Sequence, residues 1–201
     1  MYVMGDPPDY EPRAETSVAA IAARRGCTPD EVAYDYLTAE ARNFLLFPVT
    51  GYTRDDHEPI REMLTDPATL LGLGDGGAHV AMIVDASAPT YILTHWARDR
   101  KRGPGLPLEY VVKRQTSETA DFFGFHDRGR LEPGKRADVN LIDFGRLRLH
   151  APDVVHDLPA GGKRLVQRAD GYAATLVAGT SVFENGQHTG AKPGRLVRRG
   201  R

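Results

Sequence analysis

The sequence predicts an α/β protein with a small all-β segment behind it, and three observations predict this. Helix-like and buried-strand patterns alternate over the first half of the chain, which argues layered α/β architecture with parallel strands. From about Asp127 onward the texture changes, and glycine and proline punctuate short extended pieces. The composition, 41% hydrophobic and 26% charged over 201 residues, is that of a packed globular chain, long enough for one large domain or a domain with an appendage.

The elements follow in order. Glu15–Arg25 is alanine-rich with Val18, Ile21 and Ala22 at helical spacing, and Gly26 ends it. Thr28-Pro29-Asp30-Glu31 is a strong helix start: Thr28 can cap, Pro29 suits the first turn, and the acids complement the helix dipole. That helix should reach about Ala41 with Val32, Tyr36 and Leu37 on its buried face. Asn43–Val49 is a short apolar run expected to form a buried parallel strand. Gly51–Asp56 turns the chain, His57–Leu64 makes a helix stopped by Asp66-Pro67, and Ala68–Leu73 reads as a second buried strand. Pro89–Arg100 is expected to be helical, and Pro107–Phe123 a long helix ended by Gly124. In the last part Ala137–Phe144 alternates as a strand does. Tyr172–Val177 and Thr180–Phe183 pair as a hairpin, and Asn185-Gly186 supplies a further turn. The basic tail, Arg195–Arg201, is expected to fray.

The bulk numbers exclude some partners. Lys plus Arg is 26 and Asp plus Glu 27, a formal net charge of −1, which gives no electrostatic reason to expect nucleic acid or a membrane surface. No stretch approaches the roughly 18 apolar residues of a membrane helix. The single cysteine, Cys27, allows no internal disulfide, and the first residues are not a signal peptide, so a cytoplasmic location is expected. The proline-rich opening, with Pro7, Pro8 and Pro12, reads as a loop that further chain should precede.

The residue best placed for chemistry is Asp75, in Gly72-Leu73-Gly74-Asp75-Gly76-Gly77-Ala78-His79. It follows an expected strand at its C-terminal end, where ligands collect in parallel α/β folds. Flanking glycines admit close approach, and a carboxylate there can act as general base or touch a metal. An Asp that ties down a turn is the plainer alternative. The run also matches G-x-G-x-x-G, but no βαβ unit follows it, and an acid between the glycines would repel a pyrophosphate. His79, four residues on, could line the same pocket or simply bond the backbone. Asp55-Asp56-His57-Glu58 reads as the acidic opening of an exposed helix rather than a ligand cluster. His95 and Trp96 read as packing residues, Cys27 as a structural thiol, and His126-Asp127-Arg128-Gly129 as a joint that Arg128 could hold by hydrogen bonds.

Three stretches together resemble a known family. They are Leu71–His79; Thr116–Ala120 with Phe123–Val139, which contains Arg128-Gly129-Arg130-Leu131-Glu132-Pro133-Gly134 and Ala137-Asp138; and Gly186–Arg195 with its Thr189-Gly190 and Pro193-Gly194-Arg195. They resemble the C-terminal part of the amidohydrolase superfamily, within it the N-acyl-D-amino-acid deacylases. The resemblance implies the last part of a (β/α)8 barrel over residues 1–126, followed by a small β-sandwich segment over residues 127–201. It implies zinc-dependent hydrolysis of an N-acyl-D-amino acid, with Asp75 as the proton-shuttling base and a possible zinc contact, and His79 toward the substrate. The family's His-x-His, metal-binding cysteine and mid-barrel histidines have no counterpart in this sequence. The main zinc ligands would therefore come from a missing N-terminal barrel segment or a companion chain, and the chain alone should be inactive, with open edges and an exposed apolar face. Alternatives are a non-catalytic interaction module of the same family and a cyclic amidase of the dihydroorotase or hydantoinase type.

Overall fold

Helix boundaries in the first part of the chain are set by side chains that satisfy orphan backbone groups. The computed structural model describes residues 1–52, 55–72 and 74–198. In chain order these form β1 (Tyr2–Val3), α1 (Val18–Arg25), α2 (Pro29–Ala39), β2 (Leu45–Leu46), α3 (Glu58–Thr65) and α4 (Ala88–Tyr91), which runs on as a π-helix over Ile92–Asp99. Then come α5 (Leu108–Gln115), α6 (Ser117–Phe123), β3 (Val139–Ile142), β4 (Arg148–Leu149), β5 (Asp153–Leu158) and β6 (Gly162–Val166). The chain closes with β7 (Ala169–Asp170), β8 (Tyr172–Val177), β9 (Thr180–Glu184) and β10 (Gln187–His188). No helix among the described residues is long and apolar enough to cross a membrane. The chain divides into two compact units: residues 1–69, 75–84 and 150–168, and residues 70–74, 85–149 and 169–201.

In the first unit, Ser17 caps α1 by accepting from the Ala20 amide, and Gly26, at φ 69°, ends it in the left-handed conformation. Thr28 and Glu31 form a capping box at the head of α2: the Thr28 hydroxyl accepts from the Glu31 amide and the Glu31 carboxylate accepts from the Thr28 amide at 2.7 Å. These caps bring α1 and α2 together around Val18, Ala22 and Val32, all buried, with Val3, Cys27 and Leu45 packed against them. Burying each valine contributes about 1.5–3 kcal/mol. Cys27 thus has the structural setting expected of it. The Tyr36 hydroxyl donates to the Met4 carbonyl at 2.6 Å, tying α2 to the chain's first residues. A hairpin of β5 and β6 completes the unit, and the Leu165 amide donates to the Val80 carbonyl at 2.7 Å.

In the second unit the core residues are Trp96, Leu106, Val111, Ala120, Leu147, Leu149 and Val182. The Leu106 amide donates to the Trp96 carbonyl, an approach open only because Gly105 has no Cβ; one would lie 2.8 Å from that oxygen. The Arg100 guanidinium covers the Trp96 ring at 4.5 Å. A four-stranded antiparallel sheet runs in the order β10-β9-β8-β3, with Asn140 opposite Thr175 and Thr175 opposite Phe183. Its hairpins turn on Ala178-Gly179 (φ 51° and 77°) and Asn185-Gly186 (φ 47° and 77°), the paired positive angles that match strand twist.

Several expectations are corrected. Ala68–Leu73 forms no strand over its described residues, and Leu73 itself lies outside them. The Asn43–Val49 strand is reduced to Leu45–Leu46 and pairs antiparallel with β1, Tyr2 opposite Leu46, instead of lying in a parallel layer. A strand exists only against a partner, and among the described residues the strand that pairs with β2 is β1. The long helix of Pro107–Phe123 breaks at Thr116, at φ −125° and ψ −91°, and becomes α5 and α6. The β5–β6 hairpin, absent from the sequence reading, rests on Val154–Leu165 and Val155–Arg164 pairs across a Pro159–Gly161 turn. Residues 199–201 of the tail lie outside the described residues.

Candidate functional site

Asp75 sits in a turn rather than at a strand end. Its carbonyl accepts from the Ala78 amide at 2.9 Å, and the His79 carbonyl accepts from the Met82 and Ile83 amides. Gly77, at φ 100°, and His79, at φ 44°, carry the reversal. The Asp75 and His79 side chains are both exposed, and among the described residues neither has a hydrogen-bond partner. The structure does not link them to each other; both are free to meet solvent or a ligand. On the other side of the run, Gly74 is held against Asp85: a Cβ there would come 2.9 Å from the Asp85 carbonyl oxygen.

The first unit holds a buried polar pair that sequence reasoning missed. Glu11, 2% exposed, accepts from the backbone amide of His57, 7% exposed, at 2.7 Å. A carboxylate oxygen of Glu11 and a ring nitrogen of His57 also lie within 4.8 Å of each other. Tyr52 packs edge-on to the His57 ring at 5.6 Å. His57 stands at the N-terminal boundary of α3, so the Glu11 carboxylate caps that helix from 46 residues away. The Asp55–Glu58 stretch does open a helix, as expected, with Asp56 accepting from the Glu58 amide at 2.9 Å. It is not uniformly exposed, because His57 turns inward to Glu11. No local pattern around Glu11 signals this, since the partner is supplied by tertiary contact.

In the second unit His95 stacks on Tyr91, with centroids 4.7 Å apart and planes at 13°, one turn along the π-helix. Its neighbour Trp96 is buried, as expected of a packing residue. Arg128 makes the joint expected of it: it donates to Asp127 at 2.8 Å and reaches Asp138 at 3.5 Å. Burial pushes the Asp138 carboxyl up, but hydrogen bonds from Arg136 and from the Ala178 amide outweigh it and hold the group below the usual carboxylate range.

Zinc tests poorly against Asp75. A catalytic zinc takes three protein ligands and an open position. Asp75 offers one carboxylate, and among the described residues no group of three His, Cys, Asp or Glu ligand atoms includes it. Any zinc at Asp75 would need ligands that the described residues do not bring there.

The model of the amidohydrolase family matches residues 15–183, most of the chain. The chain belongs to the amidohydrolase family. This amidohydrolase chain is 32% identical to an uncharacterized protein of Mycobacterium tuberculosis, over 92% of this chain and 32% of that protein. It is 30% identical to the D-aminoacylase of Alcaligenes xylosoxydans xylosoxydans, over 89% of this chain and 33% of that enzyme. Among solved structures, a D-aminoacylase mutant in complex with copper chloride is 23% identical with a TM-score of 0.49, over 92% of this chain and 35% of that one. The chain spans about a third of the length of the curated relatives it matches. The family resemblance read from the Gly-rich Asp75 run and the Arg128–Asp138 stretch holds.

Proposed function

We propose that this amidohydrolase chain is the C-terminal part of an enzyme that hydrolyses the amide bond of N-acyl-D-amino acids, inactive without the remainder of the fold. The observation that carries this is the exposed, glycine-flanked Asp75 inside the span matched by the family model, together with 30% identity to a D-aminoacylase. In this reading the remainder completes a (β/α)8 barrel over residues 1–126, and residues 127–201 add to a β-sandwich.

The chemistry assigned to this chain rests on Asp75. Its carboxylate removes a proton from a water molecule as the water oxygen bonds to the amide carbonyl carbon. The tetrahedral adduct collapses with cleavage of the C–N bond, and Asp75 returns the proton to the leaving nitrogen. A carboxylic acid and a D-amino acid result. General acid–base catalysis of this kind contributes about 10²–10⁴-fold. His79 is assigned to the substrate side. Zinc remains the proposed cofactor of the complete enzyme, held mainly by ligands outside this chain.

The test joins this chain to the portion of the D-aminoacylase relative for which it has no counterpart. The joined protein should deacylate N-acyl-D-amino acids in a zinc-dependent way, in preference to cyclic imides, and Asp75→Asn should lower turnover by at least about 10²-fold. Unchanged turnover in Asp75→Asn removes the role of Asp75. A folded, zinc-loaded joined protein that turns over cyclic imides, or nothing, overturns the substrate assignment.

A further inference from the structure

Asp75 rides on a loop whose short bonds give it shape but not place. The Ala78 amide closes one turn on the Asp75 carbonyl, and the Met82 amide closes the next on the His79 carbonyl at 2.7 Å. Between them His79 holds a positive φ of 44°, a strained conformation for a residue larger than glycine, which persists only where surrounding structure over-determines it. The next residue supplies that structure: the Val80 carbonyl accepts from the Leu165 amide, on β6, at 2.7 Å. Residues 75–84 accordingly belong to the same compact unit as residues 150–168, while residues 70–74 and 85–149 belong to the other. Leu165 stands opposite Val154 of β5. In an antiparallel pair alternate residues turn their amides away from the partner strand, and the Leu165 amide goes to Val80. The hairpin is stiffened on its own account, because the Arg164 guanidinium donates twice to the Asp157 carboxylate, each bond 2.7 Å.

We propose that β6 positions Asp75. The Leu165 amide pins the Val80 carbonyl, Val80 fixes the left-handed turn at His79, and that turn sets where the Asp75 carboxylate stands. A general base works only within hydrogen-bond reach of the proton it takes, so a carboxylate on a loop with a floating far end is in reach only part of the time. Leu165 acts through Val80 and His79 rather than on the substrate, so it is a positioning residue. This deepens the proposed function and rests on the role given there to Asp75.

Two changes delete the Leu165 N–H: Leu165→Pro, and an ester linkage in place of the amide at residue 165, which adds no ring. Proline suits the position, because the lost N–H points away from β5 and Arg164 before it is already in a strand. Leu165→Ala shortens the side chain and keeps the N–H. In the full 201-residue chain, hydrogen exchange at the Met82 and Ile83 amides should quicken at least about tenfold in both deletions and stay within about threefold in Leu165→Ala. The Val32 amide, bonded within α2, should exchange at an unchanged rate and so checks the fold; where Leu165→Pro loses the fold, the ester decides. In the joined protein, turnover of N-acyl-D-amino acids should fall at least about tenfold with either deletion. The same deletion added to Asp75→Asn should cost less than about threefold more, since a base that is gone cannot be misplaced, whereas a merely structural loss lowers both backgrounds alike. Unchanged exchange at Met82 and Ile83, an equal effect of Leu165→Ala, or equal losses with and without the Asp75 carboxylate each overturns the proposal. A folded joined protein that deacylates nothing counts against the proposed activity instead, and the exchange rates then decide by themselves whether β6 holds the loop.

Discussion

Gly171→Ala should be among the most damaging single-methyl changes in the second unit. Gly171 links β7 to β8 at φ 97°, and its carbonyl accepts from the Asp143 amide at 2.8 Å. A Cβ there would lie 2.6 Å from the Leu147 Cα, 2.8 Å from the Leu147 nitrogen and 3.0 Å from the Asp143 carbonyl oxygen. All three are backbone atoms, so no side chain can swing away to make room. Leu147 is 1% exposed, so the loop it belongs to moves only by disturbing the core. The left-handed conformation costs an alanine about 1–2 kcal/mol. Forcing a well-packed region apart costs about 1–3 kcal/mol more. The expected loss is therefore about 2–5 kcal/mol, a large share of the 5–15 kcal/mol typical of a domain. Gly179→Ala is the control: φ is 77° and nothing lies within 4 Å of its Cβ position, so it should cost only the conformational part. Urea unfolding followed by circular dichroism measures both. If Gly171→Ala is no more destabilising than Gly179→Ala, the close approach to Leu147 is not a constraint and the reasoning fails.

Other outcomes follow from the same structure. Thr28→Ala should destabilise by about 0.5–2 kcal/mol through loss of the α2 cap, while Thr28→Ser should restore most of it; equal melting of all three proteins would show the cap to be idle. Asp75→Asn alone should leave the melting curve within the equivalent of about 0.5 kcal/mol, because its side chain is exposed and unbonded, and a larger shift would mean that the residue is structural. Asp138 is held below the usual carboxylate range when folded, so its contribution is fully present at neutral pH and is lost as pH falls below about 4, through its lower folded value. Hydrogen bonds from Arg130, Arg128 and Arg164 lower Asp121, Asp127 and Asp157 in the same direction, but these groups are exposed and solvent screens them. Acid titration of stability should therefore be less steep in Asp138→Asn, and an unchanged acid limb would exclude Asp138 as its source.

Short-range chemistry was legible in the sequence. Thr28 and Glu31 announce the α2 cap because both partners sit within one turn. Asn185-Gly186 announces a hairpin because that pair accepts positive φ at little cost. The Arg128–Asp138 joint is readable because Asp127, Arg128, Arg136 and Asp138 lie within a dozen residues. Ala68–Leu73 misled because an apolar run states a preference for burial without saying what will cover it. The β5–β6 hairpin was passed over because its pairs sit among charges, Asp153, Asp157, Lys163 and Arg164, that mask the alternation.

For the candidate site the division is similar. The sequence by itself determined the family and singled out Asp75, because a glycine-flanked acid and the re-entry stretch are local patterns of residue type. Only the tertiary structure decided that Asp75 is an exposed turn residue around which the described residues gather no metal ligands, that β2 pairs with Tyr2–Val3, and that Glu11 caps α3 through His57. Those facts depend on residues more than 40 positions apart, or on ligand atoms that fail to converge. Chain closure over such distances is set by packing as a whole, and no window of sequence carries it.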